Sequence, residues 1–142
     1  RREKSQRSTA DAIDAVAKTL PALWRAEKME SKAAKAGFAW PEGSDGALRK
    51  LEEEVGELRS AVESGSVDGR HGVREEVGDV LFMAAQVAQS HGVDPEAALH
   101  AACDKFARRF RSVEEGADGT PLTELTEQEL LDLWQRAKQK ES

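Results

Sequence analysis

The chain is most constrained by an acidic helical pattern that occurs twice. Residues 53–58 read EEVGEL, and residues 75–80 read EEVGDV. In both copies, carboxylates stand three residues apart, a spacing that places them on one face of a helix. Each copy also lies among apolar residues at helical spacing, so each predicts an amphipathic helix with an acidic edge.

The two acidic edges predict a shared metal site. On a helical wheel, Glu54 and Glu57 lie on the same side of the first apolar stripe. Glu76 and Asp79 take the matching positions on the second stripe. Two antiparallel helices that pack along these stripes bring all four carboxylates to one rim. Such groups repel one another unless a cation lies among them, and oxygen ligands favour Mg²⁺ or Mn²⁺. The alternative is two solvated faces, because Glu is a good helix former.

Composition narrows the fold and excludes several classes of function. A chain of 142 residues, with 39% hydrophobic and 34% charged residues, has the length of one domain. Aromatic residues make up 5% and Tyr is absent, which favours helices over an aromatic-rich β fold. A net charge of −6 argues against binding to nucleic acid. The apolar runs are too short for a membrane span.

Cysteine, histidine and the first residue add three expectations. Cys103 is the only cysteine, so an internal disulfide is excluded and a reducing, cytoplasmic location is predicted. His71, His91 and His100 share no metal-ligand spacing, so each is interpreted as a satisfied or solvated side chain. Because the chain opens on Arg1 rather than Met, it is interpreted as trimmed or as one domain of a longer protein.

Periodicity and helix-end signals predict an all-α fold, a helical bundle completed by dimerisation because several stripes are narrow and Ala-rich. Residues 1–8 are predicted to be a disordered tail or linker remnant, and residues 9–142 to form the domain. The expected N-caps are Thr9, Asp45, Asp94 and Thr126. The expected helices are a short one after Thr9, one from Pro21 to before Gly37, and those at about 46–64, 72–91, 95–115 and 127–140.

Basic and aromatic residues form a second group of candidates. Lys105 and Arg109 are four residues apart on a predicted helix and therefore share a face. The alternative is a solvated basic face near a helix C-terminus, which the helix dipole favours. Phe38 and Trp40 fall in a turn-rich loop, where the pair is interpreted as a lid on the core or as a base-stacking site.

These patterns resemble the MazG-type nucleoside triphosphate pyrophosphohydrolases of the all-α NTP pyrophosphatase superfamily. The similarity extends from about residue 20 to 138 and is closest to the C-terminal, catalytic domain of two-domain bacterial MazG proteins. The runs that carry it are LPALWRAEKMESKAAKAGFAWPE, LRKLEEEVGEL, REEVGDVLF, KFARRFRSVE and LWQRAKQ. The resemblance implies Mg²⁺-dependent hydrolysis of nucleoside triphosphates to monophosphate and pyrophosphate, with broad base tolerance, in nucleotide-pool cleaning.

The same resemblance implies roles for individual residues. Glu53 is similar to a position that serves as a further metal ligand or orients water. The positions that match metal ligands are Glu54, Glu57, Glu76 and Asp79. The positions that match contacts to substrate, or a segment over the site, are Lys32, Phe38, Trp40, Lys105, Arg109, Trp134 and Lys138.

The chain departs from the family at two positions. Ala39 stands where the family often has Asp, and Cys103 stands where it often has Asn. If those polar side chains hold sugar or phosphate, substrate affinity or base choice differs in this chain.

Three alternatives stay open: a dUTP/dCTP-selective pyrophosphatase, a phosphoribosyl-ATP pyrophosphohydrolase, and a non-catalytic helical dimerisation module. The implied partners are a nucleoside triphosphate and further copies of the chain, as a homodimer or higher oligomer, without nucleic acid or membrane.

Overall fold

The structure is built from α-helices. A computed structural model describes residues 8–40 and 44–141, and within these ranges it contains six α-helices, one 3₁₀-helix and no β-strand. The helices are α1 (Thr9–Asp14), α2 (Ala22–Lys35), α3 (Ser44–Ser64), α4 (Val73–Ser90), α5 (Pro95–Gly116), the 3₁₀-helix Leu122–Glu124, and α6 (Glu127–Lys140). The all-α prediction is confirmed. Residues 1–7 of the predicted tail lie outside the described residues.

Helix ends follow local capping chemistry. At α6 the predicted capping box is present: the Glu129 amide donates to Thr126 Oγ1 at 3.1 Å, and the Thr126 amide donates to Glu129 Oε1 at 2.8 Å. At α1 the predicted cap is wrong by one residue. Ser8, not Thr9, accepts the hydrogen bond from the Asp11 amide at 3.0 Å, so Thr9 is already helical. A hydroxyl at either position suits a cap, and only the backbone conformation selects between them.

The start of α3 also differs from the prediction. Asp45 lies inside the first turn rather than at the N-cap. Its Oδ2 accepts a hydrogen bond at 2.7 Å from Arg49 Nη2, one turn later. A carboxylate in the first turn remains favourable there because it faces the positive end of the helix dipole. At α5 the predicted cap is confirmed, since Asp94 Oδ1 accepts from the Glu96 amide at 2.9 Å.

The chain divides into two compact units, residues 1–96 and 97–142. In the first unit, α2 packs against α1 and α4, and α3 packs against α4. Its buried apolar residues are mostly small: Val16, Ala47, Ala61, Met83 and Ala85. In the second unit, Val113, Leu133 and Ala137 form the buried cluster, with Trp134 packed against it. Among the described residues, no helix combines the length and the hydropathy that a membrane span requires.

The apolar stripe predicted for α3 is only partly buried. Leu51 and Leu58 are half-buried. In contrast, Leu48, Val55 and Val62 are exposed to 44%, 46% and 59%, and they follow one another at intervals of seven residues. These three form the outer α3 row. The described part of the first unit covers the flank of α3 that faces α4 and leaves this row open.

Helix α2 carries a buried carboxyl group. Glu30 is only 4% exposed, and neither of its carboxylate oxygens has a hydrogen-bond partner among the described residues. Burial, and to a smaller extent the charge of Glu27, raises the pKa of Glu30 from 4.5 to about 8. The neutral acid is therefore the favoured form of Glu30 at neutral pH, because an unpartnered charge is poorly solvated in a protein interior.

Glu30→Gln tests this burial. Between pH 4.5 and about 8 the folded chain holds a proton that the unfolded chain releases, so Glu30 makes the free energy of unfolding fall as pH rises through this range. Gln keeps the shape of the neutral acid and cannot ionise. We expect Glu30→Gln to be more stable than the wild type near pH 9 by about 1–3 kcal/mol, measured by urea unfolding followed by circular dichroism.

The matched control for this comparison is Glu63→Gln, which changes an exposed glutamate of α3. It should keep the pH dependence of the wild type. If Glu30→Gln and the wild type lose the same stability between pH 5 and pH 9, Glu30 does not hold a proton in the folded chain.

Candidate metal centre

The acidic patterns of α3 and α4 meet because the two helices form an antiparallel hairpin. Carboxylate oxygens of Glu54, Glu76 and Asp79 lie within 4.8 Å of one another, and Glu57 lies within the same distance of Glu76. Glu76 is grouped with both Glu57 and Glu54, whereas Asp79, one turn further along α4, is grouped with Glu54, as antiparallel packing leads one to expect. The structure thus brings the four carboxylates to one edge of the hairpin.

The face that α3 turns toward α4 explains why an acidic residue is buried there. Ala47 and Ala61 are 0% and 3% exposed, so this face of α3 is buried and carries small side chains. Glu54 lies between them on the same face, and its side chain is only 12% exposed. Small side chains above and below Glu54 therefore hold its carboxylate inside the helix–helix contact instead of leaving it in solvent.

Glu76 is the most buried acidic residue of the cluster. It is 2% exposed, and its Oε2 has no hydrogen-bond partner among the described residues. A buried oxygen without a donor costs free energy, and a cation among the carboxylates removes that cost. The donor set, four carboxylates at one edge, therefore fits a divalent ion held by oxygen ligands.

The electrostatics of the cluster agree with this geometry. Burial raises the pKa of Glu76, the charges of Asp79 and Glu57 raise it further, and His71 acts in the opposite direction. Without a cation, ionisation of Glu76 is therefore opposed both by desolvation and by repulsion. A divalent ion reverses both effects, because it binds the ionised carboxylates and competes with protons for them.

Glu53 lies beside the cluster rather than within it. Its side chain is 65% exposed, and its Oε1 accepts a hydrogen bond from Lys50 Nζ at 3.3 Å. The hydrogen bond and the charge of Glu53 raise the pKa of Lys50. The same ammonium group lies 3.6 Å from Glu54 Oε2, so Lys50 connects Glu53 to the edge of the cluster. Sequence reasoning did not single out Lys50, although its position one turn before Glu54 was a usable signal.

The structure also adds a histidine to the cluster. A ring nitrogen of His71 lies within 4.8 Å of carboxylate oxygens of Glu57 and Glu76. His71 belongs to the loop 65–72 that joins the two acidic helices. Spacing along the chain did not indicate this contact, because His71 reaches Glu57 only after the loop 65–72 has folded back to pair the two helices. The one local signal was the position of His71 directly before the second acidic helix.

The aromatic residues after α2 line a small cavity. The rings of Phe38 and Trp40 meet edge to face, with centroids 6.1 Å apart and an interplanar angle of 62°. Phe38 is 64% exposed, while the buried Trp40 Nε1 has no hydrogen-bond partner among the described residues. The cavity has a volume of about 160 Å³, and its other lining residues are Ala34, Ala39, Gln86, Gln89 and Ser90. Lys32, also predicted to contact substrate, is exposed on α2.

Two predicted basic contacts to substrate lie on α5 in the second unit. Lys105 is exposed, and Arg109 is half-buried one turn later. Arg109 Nε forms an ion pair with Glu141 Oε2 at 3.3 Å. The shared face predicted for the two residues follows from the helical geometry of α5, which spans both positions.

The remaining two candidates lie on α6. Trp134 packs against Phe106, with ring centroids 5.4 Å apart, and is therefore part of the packing of the second unit. Lys138 follows one turn later and is exposed. Trp134 thus has a structural role in this unit in addition to the substrate contact that the resemblance implies.

Comparison with known proteins agrees with these features. Residues 43–113 match the MazG nucleotide pyrophosphohydrolase domain family. This range includes α3, α4 and the greater part of α5, and it contains all four carboxylates of the cluster. The match therefore covers half of the chain and the complete candidate site for a metal ion.

Relatives extend the similarity over nearly the whole chain. A nucleoside triphosphate pyrophosphohydrolase of Escherichia coli (strain K12) is 34% identical over 141 residues, which is 98% of this chain and 53% of that protein. The nucleoside triphosphate pyrophosphohydrolase/pyrophosphatase MazG of Thermotoga maritima is 36% identical over 84% of this chain and 45% of that protein. The uncharacterized protein YabN of Bacillus subtilis is 38% identical over 98% of this chain and 29% of its own length.

The chain spans about half the length of the first two of these relatives. The family match covers half of the chain, and these relatives are 34–38% identical over most of it. The chain therefore belongs to the MazG nucleotide pyrophosphohydrolase family.

Proposed function

We propose that this chain hydrolyses nucleoside triphosphates to nucleoside monophosphate and pyrophosphate, with Mg²⁺ as cofactor and with broad base tolerance, in nucleotide-pool cleaning. The observation that carries the proposal is the carboxylate cluster. Glu54, Glu76 and Asp79 place oxygens within 4.8 Å of one another, and a buried oxygen of Glu76 has no donor among the described residues. The printed names of the E. coli and T. maritima relatives support the reaction class.

The cluster suits a hard divalent cation. In this proposal Glu54, Glu57, Glu76 and Asp79 hold Mg²⁺, for which Mn²⁺ can substitute, because both ions prefer carboxylate oxygens. The bound ion would supply neutralising charge for the triphosphate oxygens and for the leaving pyrophosphate. The burial of Glu76 also favours this proposal over a non-catalytic helical dimerisation module, because that alternative requires the acidic faces to be solvated.

Other side chains of the chain orient water and bind phosphate in this proposal. The exposed carboxylate of Glu53, next to the cluster, orients the attacking water or accepts its proton. Lys105 and Arg109 donate hydrogen bonds to phosphate oxygens, since charged donors stabilise developing negative charge. Trp134 and Lys138 contact the nucleotide, as the family resemblance implies.

Broad base tolerance is proposed from the cavity beside α2. Phe38 and Trp40 offer aromatic surface to a base, and stacking tolerates all bases because every base has a π-face. In this proposal Lys32, which is exposed on α2, contributes positive charge. Ala39 supplies no charged group at the position where the family often has Asp. A dUTP/dCTP-selective or a phosphoribosyl-ATP-specific enzyme would instead require base-specific or sugar-specific polar contacts.

We also propose that the chain acts as a homodimer or higher homo-oligomer. Leu48, Val55 and Val62, the outer α3 row, are exposed along one side of the helix. On α4, Val77 and Leu81 are exposed to 39% and 52% one turn apart. Apolar rows of this kind on neighbouring helices favour burial against a second copy of the same hairpin.

Product analysis tests the proposed reaction. The protein is incubated with ATP, dCTP and dUTP separately, first with Mg²⁺ and then with EDTA, and the phosphate products are resolved by anion-exchange chromatography. We expect monophosphate and pyrophosphate from each substrate, only with Mg²⁺, and at rates within about tenfold of one another. Turnover of dCTP or dUTP alone would contradict the proposed base tolerance. If the folded protein hydrolyses none of the three nucleotides, the non-catalytic helical dimerisation module is favoured instead.

Two variants test the role of the cluster. Glu54→Gln and Asp79→Asn each remove one ligand charge, so we expect each to lower kcat by about 100-fold or more. Neither should lower Tm in the absence of metal, because each also removes repulsion from the cluster. Glu63→Gln serves as the control and should retain normal turnover. Folded Glu54→Gln and Asp79→Asn proteins with normal turnover would exclude these residues as metal ligands.

Val55→Lys tests the proposed self-association. A lysine in the centre of the outer α3 row places a charge where the proposal buries apolar surface, so the variant should shift toward monomer in light scattering coupled to size-exclusion chromatography. Val67→Lys is the matched control, because Val67 is also exposed, to 54%, but lies in the loop between α3 and α4. Equal molar masses for the wild type and Val55→Lys would show that this row is not an interface.

A further inference from the structure

The candidate metal centre contains a second group of ligands that includes a nitrogen. Ligand atoms of Glu57, His71 and Glu76 lie within 4.8 Å of one another. They line an open cavity of about 450 Å³ at the loop end of the α3–α4 hairpin. The other lining residues are Ser60, Ala61 and Ser64. This volume leaves room for an ion with several water ligands.

The loop between the helices determines where His71 lies. Its backbone has a φ of +62°, in the left-handed region that few non-glycine residues occupy, among which His, Asn and Asp are enriched. Its amide donates to Glu75 Oε1 at 2.8 Å. The next residue, Gly72, is held so closely that a Cβ there would lie 2.7 Å from the Val67 carbonyl oxygen. The tight loop thus presents His71 beside the first turn of α4.

Glu76 connects this group to the carboxylate group described above. It belongs both to the set with Glu54 and Asp79 and to the set with Glu57 and His71. Its side chain is 2% exposed, and its Oε2 has no hydrogen-bond partner among the described residues. A buried, unsatisfied carboxylate that two ligand sets share is the arrangement expected of a group that bridges two adjacent cations.

We infer that Glu57, His71 and Glu76 form a second cation position, with His71 as a nitrogen ligand, that takes a first-row transition ion in preference to Mg²⁺. This inference rests on the proposed function for the neighbouring, all-carboxylate position. Imidazole suits transition ions such as Co²⁺, Fe²⁺ or Zn²⁺, whereas Mg²⁺ prefers oxygen ligands. Two positions with different ligand chemistry, which share the carboxylates of Glu76 and Glu57, therefore hold different ions most tightly.

Glu75 has a supporting role in this arrangement. Its Oε1 lies 3.9 Å from His71 Nδ1 and accepts the His71 backbone amide. A carboxylate next to a ligating histidine orients the ring and raises its basicity. The alternative is that His71, whose side chain is 71% exposed, is a solvated loop residue near Glu75 and has no role in metal binding.

His71→Gly distinguishes the two interpretations. Gly accepts a φ of +62° without strain, and the amide hydrogen bond to Glu75 does not involve the imidazole, so this variant should fold at least as well as the wild type. The matched control is His91→Ala. His91 lies at the end of α4, where its Nδ1 bonds to the carbonyl oxygen of Val87 at 2.9 Å.

The experiment titrates the wild-type chain, His71→Gly and His91→Ala with Co²⁺ and, separately, with Mg²⁺ in a calorimeter. Paramagnetically shifted imidazole proton resonances of the Co²⁺-loaded protein provide a second readout. We expect His71→Gly to bind Co²⁺ about tenfold or more weakly and to lose one shifted imidazole signal, while its Mg²⁺ affinity changes less than about twofold. His91→Ala should match the wild type.

Unchanged Co²⁺ affinity of folded His71→Gly, or equal losses for Co²⁺ and Mg²⁺, would overturn the inference. Its failure can be distinguished from failure of the proposed function. Mg²⁺-dependent pyrophosphate release with Co²⁺ binding that is independent of His71 rejects only the second position. Co²⁺ binding that depends on His71, in a protein that hydrolyses no nucleotide, supports the second position and rejects only the proposed reaction.

Discussion

Repulsion among carboxylates at one edge of the α3–α4 hairpin is the constraint on which the candidate site depends. Two helices that pack through small residues bring oxygens of Glu54, Glu76 and Asp79 within 4.8 Å of one another. Glu76 is buried and its Oε2 has no donor among the described residues. Such an arrangement opposes folding unless positive charge compensates it. A divalent cation does this best, because it satisfies several carboxylate oxygens at once.

The first unit also shows how a small helical hairpin can hold polar groups in its interior. Ala47 and Ala61 allow close contact of the backbones, and Glu54 occupies the space between them. The consequence is that larger apolar side chains of α3, including Val55, remain on the outer side of the helix. The site and the proposed oligomer interface thus have one cause: α3 buries Ala47, Glu54 and Ala61 on one face and leaves Leu48, Val55 and Val62 exposed on another.

Much of the fold was predictable from local sequence signals. The six described α-helices lie where periodicity and caps placed them, and Thr126 and Asp94 act as predicted. An error of one residue occurred at α1, where the adjacent Ser8 and Thr9 both suit the cap, and at α3 the predicted cap Asp45 lies inside the first turn. The side of α3 that is buried was less predictable, because hydrophobic spacing identifies an apolar face but not the part of it that contacts a neighbour. The small size of Ala47 and Ala61 decided that question.

The sequence by itself determined which residues form helices and that each acidic helix carries two carboxylates on one face, since these properties depend on residues three or four positions apart. Only the tertiary structure decided that Glu76 is buried and shared, that His71 joins the carboxylates, and that the buried Glu30 has no hydrogen-bond partner within residues 8–40 and 44–141. These properties depend on contacts between residues far apart in the chain and on the closure of the loop 65–72. The spacing of residues along one helix does not show which side chains lose their contact with water, because a different helix displaces that water.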